Sequence, residues 1–253
     1  SGQSYKLFTS DRELSSSLIN YIFQDRNGMI WVATEDGLNR YDGVKFTIYK
    51  HKKNDIHSLC NNYVRTLFED SKGRLFIGTL NGFQLYDPAT DTFSEPAKWS
   101  DGTIFNSNIV SVIEKKNGEL WISGNFTCKV KVIDGSIIMI KQHLPIRTTS
   151  TDYIMEDQYH NCWLMSGERG LYRIDAHHKM YHYSFNERGG IINNICQNKQ
   201  GEIFISTVGR GIYRYDVKSN SFLPILLNGR QDLPVKTLYI DRHNQLFVGT
   251  DGC

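Results

Sequence analysis

The chain has 253 residues, 29 Lys and Arg against 27 Asp and Glu, 40% hydrophobic and 12% aromatic residues, and 21 Gly beside only 5 Pro. This globular composition excludes disordered and low-complexity classes, and a formal net charge of +2 excludes a broad basic surface for nucleic acid or an anionic membrane. No apolar run approaches the roughly 18–20 residues of a membrane helix, and the longest, Ile137 to Ile140, is strand-sized.

In chain order, the polar start Ser1 to Ser4 has no signal peptide, which leaves export of a processed form open. Tyr5-Lys6-Leu7-Phe8 then reads as a fourth strand with no strands before it, the usual device for closing a ring of blades. From Ile22 one sentence recurs. Its first copy is Ile22-Phe23-Gln24-Asp25-Arg26-Asn27-Gly28-Met29-Ile30-Trp31-Val32-Ala33-Thr34, followed by Gly37-Leu38-Asn39-Arg40-Tyr41-Asp42. The second runs from Leu67 to Thr79, followed by Gly82-Phe83-Gln84-Leu85-Tyr86-Asp87. Later copies centre on Trp121, Trp163, Phe204 and Phe247, so the aromatic column is spaced by 45, 45, 42, 41 and 43 residues. A near-constant period of this size marks a repeat architecture.

Each copy parses into four short strands. The first is apolar, as in Tyr63 to Phe68, and ends in a polar turn such as Asp25 to Gly28, Asp70 to Gly73 or Asn198 to Gly201. Asp or Asn there bonds the backbone ahead, and Gly or Asn accepts a positive φ, which suits a tight hairpin. The second strand carries the aromatic residue, the third alternates as in Leu171 to Asp175, and the fourth is the most variable. Four antiparallel strands per 41–45 residues predict an all-β fold, a β-propeller of four-stranded antiparallel blades. A single blade has two apolar faces and buries them only by stacking on its neighbours, so the aromatic column belongs between blades. About five and a half blades are expected, as a single β-propeller segment over residues 1–253 that stops within the sixth repeat and so is a piece of a longer receptor.

Cys60, Cys128, Cys162, Cys196 and Cys253 include no C-x-x-C pair and are odd in number, so neither a metal cluster nor a disulfide framework is expected. Cys162 and Cys196 occupy apolar columns of the repeat and read as buried thiols. Of the eight His, only His177, His178 and His182 cluster, within one blade, whereas a metal site needs a convergent set. No cofactor is expected, and no nucleophile elbow, phosphate loop or dinucleotide fingerprint is present.

Strand order places the loops between second and third strands on one face, together with the crossovers to the next blade. Candidate ligand-binding residues there are Glu35, Asp36, Asn81, Asn125, Glu168, Arg169 and Arg210 in the loops, and Asn20, Asn62, Asn108 and Asn194 in the crossovers. Amides and charged forks suit a polyhydroxylated ligand such as a saccharide, and Arg suits a carboxylate or sulfate on it. Asn and Gly are also ordinary turn residues. The Asp turns on the opposite face are expected to be structural.

The stretches Ile30 to Asp42 and Glu69 to Thr79 resemble the two-component regulator propeller repeat. The likeness is looser in the third repeat, which lacks the Gly-Leu-x-Arg-Tyr strand, and in the fourth, where His160-Asn161 replaces the turn pattern. The resemblance implies the periplasmic sensor region of a hybrid two-component system of gut Bacteroidetes, a partial ring of a seven-bladed propeller. Such sensors carry two such propellers and an immunoglobulin-like domain before a membrane helix, a histidine kinase and a response regulator. They detect glycan-derived oligosaccharides and switch on glycan-utilisation genes. The implied partners are an oligosaccharide, the remaining blades and domains of the same receptor, and a second copy in a homodimer, with no nucleic acid, and with membrane contact only beyond Cys253. The resemblance implies no catalysis in this segment. Two alternatives stand beside it. A propeller lyase or glycosidase would need an acid–base pair, for which Glu35, Asp36 and Glu168 are the carboxylates of the loop face. A protein-interaction scaffold would work through dimerisation.

Overall fold

The computed structural model describes residues 7–9, 13–142, 153–166, 170–185, 190–227 and 229–250. The chain forms two compact units, Ser1–Ser150 and Thr151–Cys253. Both are built from antiparallel propeller blades, and the described residues contain no helix.

The first unit holds three blades. Blade one is β1 (Ile19–Gln24), β2 (Ile30–Thr34), β3 (Gly37–Tyr41) and β4 (Phe46–Tyr49), hydrogen-bonded in sequence order. Blade two is β5 (Val64–Glu69), β6 (Leu75–Thr79), β7 (Gly82–Asp87) and β8 (Thr92–Phe93). Blade three carries one strand more than expected. The short β9 (Lys98–Trp99) comes from the preceding crossover and pairs in parallel with the last of β10 (Ile109–Glu114), β11 (Leu120–Gly124), β12 (Cys128–Ile133) and β13 (Ser136–Lys141). Its Trp99 is anchored on Phe105 and Phe126, with ring centroids 5.0 and 5.8 Å away.

The second unit holds β14 (Tyr153–Glu156), β15 (Cys162–Ser166), β16 (Gly170–Ile174) and β17 (Met180–Tyr183) as blade four. Blade five is β18 (Ile191–Gln197), β19 (Ile203–Val208), β20 (Gly211–Asp216) and β21 (Ser221–Ile225), and the hairpin β22 (Val235–Ile240) and β23 (Leu246–Thr250) follows. Of the segment expected as a lone fourth strand, Tyr5 and Lys6 lie outside the described residues. Leu7 and Phe8 are not in a strand, and Phe8 packs its ring on Tyr41 and Phe46 of blade one.

The turn after each first strand is built as its residues dictate. Asp25 Oδ1 accepts the amides of Asn27 (2.9 Å) and Met29 (3.0 Å), while Oδ2 accepts the Trp31 indole N–H (2.8 Å). Asp157 does the same for Tyr159, Asn161 and Trp163. Asp70, Asn198 and Asp241 repeat the two backbone contacts. The fourth turn residue is left-handed in every copy: Gly28, Gly73, Gly118 and Gly201 have φ of 80–85°, His160 64° and Asn244 66°. His160-Asn161 therefore keeps the turn that its sequence obscures, although a non-glycine residue pays roughly 1–2 kcal/mol for that conformation. Successive turns are also tied together. The amides of Arg26, Ser71 and Gln158 donate to Glu69, Glu114 and Gln197, each at the end of the next blade's first strand.

The core lies between blades. Trp31, Ala33 and Leu38 of blade one pack on Leu59, Val64, Leu67 and Ile77, whereas Phe76 and Phe83 of blade two pack on Phe105, Ile109, Val112 and Ile122. In the second unit Trp163, Met165 and Leu171 meet Ile192, Ile195 and Ile205, and Phe204 and Ile212 meet Val235 and Leu238. Trp31 and Phe76 are wholly buried, each contributing about 1.5–3 kcal/mol of apolar transfer. Cys162 is buried as its column implies, while Cys196 is half-buried, and burial pushes its thiol up to about 11.

A cation faces the aromatic column wherever the third strand permits. Arg40 lies opposite Trp31, Lys129 opposite Trp121 and Arg173 opposite Trp163. Lys129 thus fills the place of the missing Arg in the third repeat. Arg40 lies over Trp31, Tyr49 and Tyr86 and pairs with Asp91 at 2.8 Å. Asp91 Oδ1 also accepts the hydroxyls of Tyr49 (2.6 Å) and Tyr86 (2.7 Å). Arg173, Tyr183, Tyr215 and Asn220 reproduce this cluster between blades four and five.

Burial acts to raise the Asp91 carboxyl, but the two tyrosine hydroxyls and Arg40 outweigh it and hold it below its ordinary value of 3.8. A carboxylate depressed in the folded state stabilises the fold above its unfolded pKa, and that contribution is lost as pH falls through the folded pKa. Asp91→Asn is therefore expected to lower the melting temperature at pH 7, with the gap to the parent closing below pH 3.8. Melts at pH 7, 5, 3 and 2 check this, and a gap constant across the series contradicts it.

Candidate ligand-binding site

The loops between second and third strands and the crossovers share one end of the blades. In the first unit the crossovers are long, 14 residues from β4 to β5 and 15 from β8 to β10. The first recruits Ser58 and His51 to hold its own turns. Ser58 Oγ accepts the Lys52 amide at 2.9 Å and donates to the Asp55 carbonyl at 2.7 Å. His51 Nδ1 lies 2.7 Å from the Leu59 carbonyl, which only accepts, so this nitrogen carries the hydrogen.

One buried side chain ties the two crossovers together. Gln84, in β7, is wholly buried. Its Oε1 accepts the Cys60 amide at 2.7 Å, and its Nε2 donates to the carbonyls of Ser58 (3.0 Å) and Ser94 (2.8 Å). Asn39, its counterpart in β3, is equally buried and holds Ser15 through that residue's amide and hydroxyl. Both occupy the column that holds Tyr172 and Tyr213 in later repeats, and that substitution of an amide for an aromatic is the signal by which they are legible.

Between the two crossovers, at the end of blade two, lies a cavity of about 630 Å³. Leu59 and Phe105 form buried apolar wall, and Ile56 and Ile104 are exposed at its mouth. Asn54, Asn61, Asn81 and Asn106 bring amides, and Lys52, Lys98, Asp55 and Glu95 bring two charges of each sign. Cys60 also lines it, with Sγ 3.5 Å from Thr79 Oγ1, and burial raises the thiol pKa.

Among the residues singled out in the sequence, Glu35, Asp36 and Asn62 come together where blade one meets blade two. Tyr63 donates its hydroxyl to Glu35 (2.9 Å), while Asp36 receives Lys50 (2.6 Å) and the Asn62 amide (3.1 Å). The Glu35 contact heads the causes that raise the Tyr63 phenol, ahead of burial. Asn81 lines the cavity. Asn20 and Asn194 lie within β1 and β18 and not in crossovers, because each first strand but β14 opens with a bulge that shifts the count. Asn20 sits at the bulge and donates to the Val64 carbonyl of the next blade at 2.8 Å. Asn193 does so to Val235 at 2.7 Å, and Asn194 lies one residue on, 3.4 Å from Thr237 Oγ1. Asn108 has a buried Oδ1 without a partner, and Asn125 is exposed in the β11–β12 loop. Arg210 is 3.4 Å from Asp232. Glu168 and Arg169 lie outside the described residues.

The space at this end of blade two is made by the crossovers and not by the loops between second and third strands. The signal in the sequence is the period itself, 45 residues in the first two spacings against 41–43 later. Among the described residues no three His, Cys, Asp or Glu converge as metal ligands, and no helix is long and apolar enough to cross a membrane.

Gln84→Ala is expected to leave three backbone groups of the crossovers without their partner, at about 1–3 kcal/mol for each that stays buried. Urea denaturation measures the loss, and hydrogen exchange at residues 58–60 is expected to accelerate. Unchanged exchange there contradicts the role given to Gln84.

Comparison with known proteins adds the family of the repeat. Residues 13–36 and 58–81 match the two component regulator propeller family, and it is these two stretches that carry its repeat. A histidine kinase P4 from Formosa agariphila is 44% identical over 55 residues, 22% of this chain and 4% of the kinase. The extracellular domain assigned to a hybrid two-component system of B. thetaiotaomicron superposes with a TM-score of 0.78 at 19% identity, over 97% of this chain and 34% of that one. A virginiamycin B lyase from Staphylococcus aureus superposes with a TM-score of 0.65 at 14% identity, over 98% of this chain and 88% of the lyase. At these identities the two structures establish the propeller fold alone. The chain spans about a third of the length of the solved sensor domain and a small fraction of the kinase.

Proposed function

We propose that this chain, built of two-component regulator propeller repeats, belongs to the extracytoplasmic ligand-sensing region of a hybrid two-component sensor. Its ligand is an oligosaccharide derived from a glycan, and a kinase outside the chain passes the signal to glycan-utilisation genes. The observation that carries this reading is the repeat match at residues 13–36 and 58–81. Those two stretches end in the β2–β3 and β6–β7 loops, and the second begins within the crossover from β4 to β5, one wall of the cavity.

The chemistry of the loop end supports a binding role. Asparagine amides donate and accept together, as a polyhydroxylated ligand requires, and a cavity of about 630 Å³ lies in the usual range for small-molecule sites. The sites proposed from the sequence remain part of this reading, with Asn81 at the cavity and Glu35, Asp36 and Asn62 beside it. A non-catalytic role is supported by the state of two of the candidate carboxylates. Glu35 is held by Tyr63, and Asp36 by Lys50 and Asn62, whereas an acid–base pair needs carboxyls free to face a substrate. The remaining blades, the other receptor domains and a second receptor copy are the proposed protein partners.

Titration calorimetry of the complete receptor ectodomain against a panel of glycan oligosaccharides tests the reading. Saturable binding of at least one is expected, without turnover of the bound sugar. An absence of heat across a broad panel contradicts the ligand class, and release of shortened or unsaturated products contradicts the non-catalytic role.

A further inference from the structure

The geometry points to the cavity at the end of blade two as the site of a neutral saccharide unit, one that carries neither sulfate nor carboxylate. This inference rests on the oligosaccharide reading above and narrows it to a place and a charge class.

Charge is the first argument. The lining carries two lysines, Lys52 and Lys98, and two carboxylates, Asp55 and Glu95, and Lys98 is committed to Glu95 at 2.9 Å. A sulfate or uronate is held best where cations outnumber carboxylates, above all by a guanidinium fork. No Arg lines the cavity.

Shape and polarity give the second argument. A pyranose presents C–H groups on a face and hydroxyls around its edge. Ile104 is 64% exposed and Ile56 51%, an apolar pair at the mouth of a cavity, and the C–H face of a sugar would remove that surface from water. The amides of Asn54, Asn81 and Asn106 stand around the same opening, each able to donate to one hydroxyl and accept from the next. The Asn61 oxygen is occupied by the Tyr63 amide at 2.8 Å, which leaves its NH2 as a donor.

The third argument is preorganisation. Both crossovers that wall the cavity are fixed to the blade by Gln84, so binding there orders little that is not already ordered.

The complete receptor ectodomain is titrated with neutral oligosaccharides and with sulfated and uronate-bearing ones of matched size, as parent and as Asn81→Ala and Ile104→Ala. Both positions are surface-exposed, and a melt of each variant checks folding. Neutral sugars are expected to bind, and each variant to weaken them about tenfold, some 1.4 kcal/mol. Alkylation of Cys60, read by peptide mass spectrometry at alkaline pH, is expected to slow when the neutral sugar is present, with Cys196 unchanged as the internal reference. Neutral binding that neither variant weakens, with Cys60 alkylated at the same rate, overturns the location while leaving the oligosaccharide reading intact. Preferential binding of the anionic sugars, weakened by these variants, overturns the charge argument. Binding by neither class overturns the inference together with the reading it rests on.

Discussion

Each blade of this protein is a small sheet with two apolar faces, and it has no interior of its own. That constraint governs the rest. Trp31 and Phe76 are buried by the blade that follows them and not by their own strands. Trp163 and Phe204 repeat the arrangement in the second unit. A blade is therefore stable only as a neighbour, and the polar devices of the fold serve to hold neighbours in register. The turn carboxylates take the indole N–H groups that would otherwise be lost from water. The residue after each carboxylate reaches the next blade's first strand. On the third strands, Arg40 and Arg173 are layered on aromatic rings and closed by Asp91 and Asn220.

Rigid blades make the loop end available for binding without cost to the core. In the first unit that end is elaborated by two long crossovers, and Gln84 converts them from loose connections into walls. A primary amide is well suited to this, since one side chain offers an acceptor to Cys60 and donors to Ser58 and Ser94. The proposed ligand chemistry follows from what these walls carry, namely amides, two exposed isoleucines and cancelling charges. Where blade one meets blade two, the polar residues of the loop end are engaged with one another, in the Glu35–Tyr63, Asp36–Lys50 and Asp36–Asn62 contacts.

The all-β class, the blade period and the structural nature of the Asp turns were legible in the sequence. They are local properties, set by two-residue alternation, by carboxylates two and four residues from the amides they accept, and by positions that demand a positive φ. Periodicity then identified the aromatic column, which is buried from Trp31 through Phe204 and exposed at Phe247. Tertiary structure decided what periodicity does not encode. It placed Asn20 on a bulge bonded to the next blade, recruited β9 from a crossover, and set His160 into a turn written elsewhere with glycine or asparagine. It also gathered Asn81 with residues from two crossovers into one cavity. Loops carry no repeat of their own, and which of their side chains converge depends on how far apart the blades hold their ends.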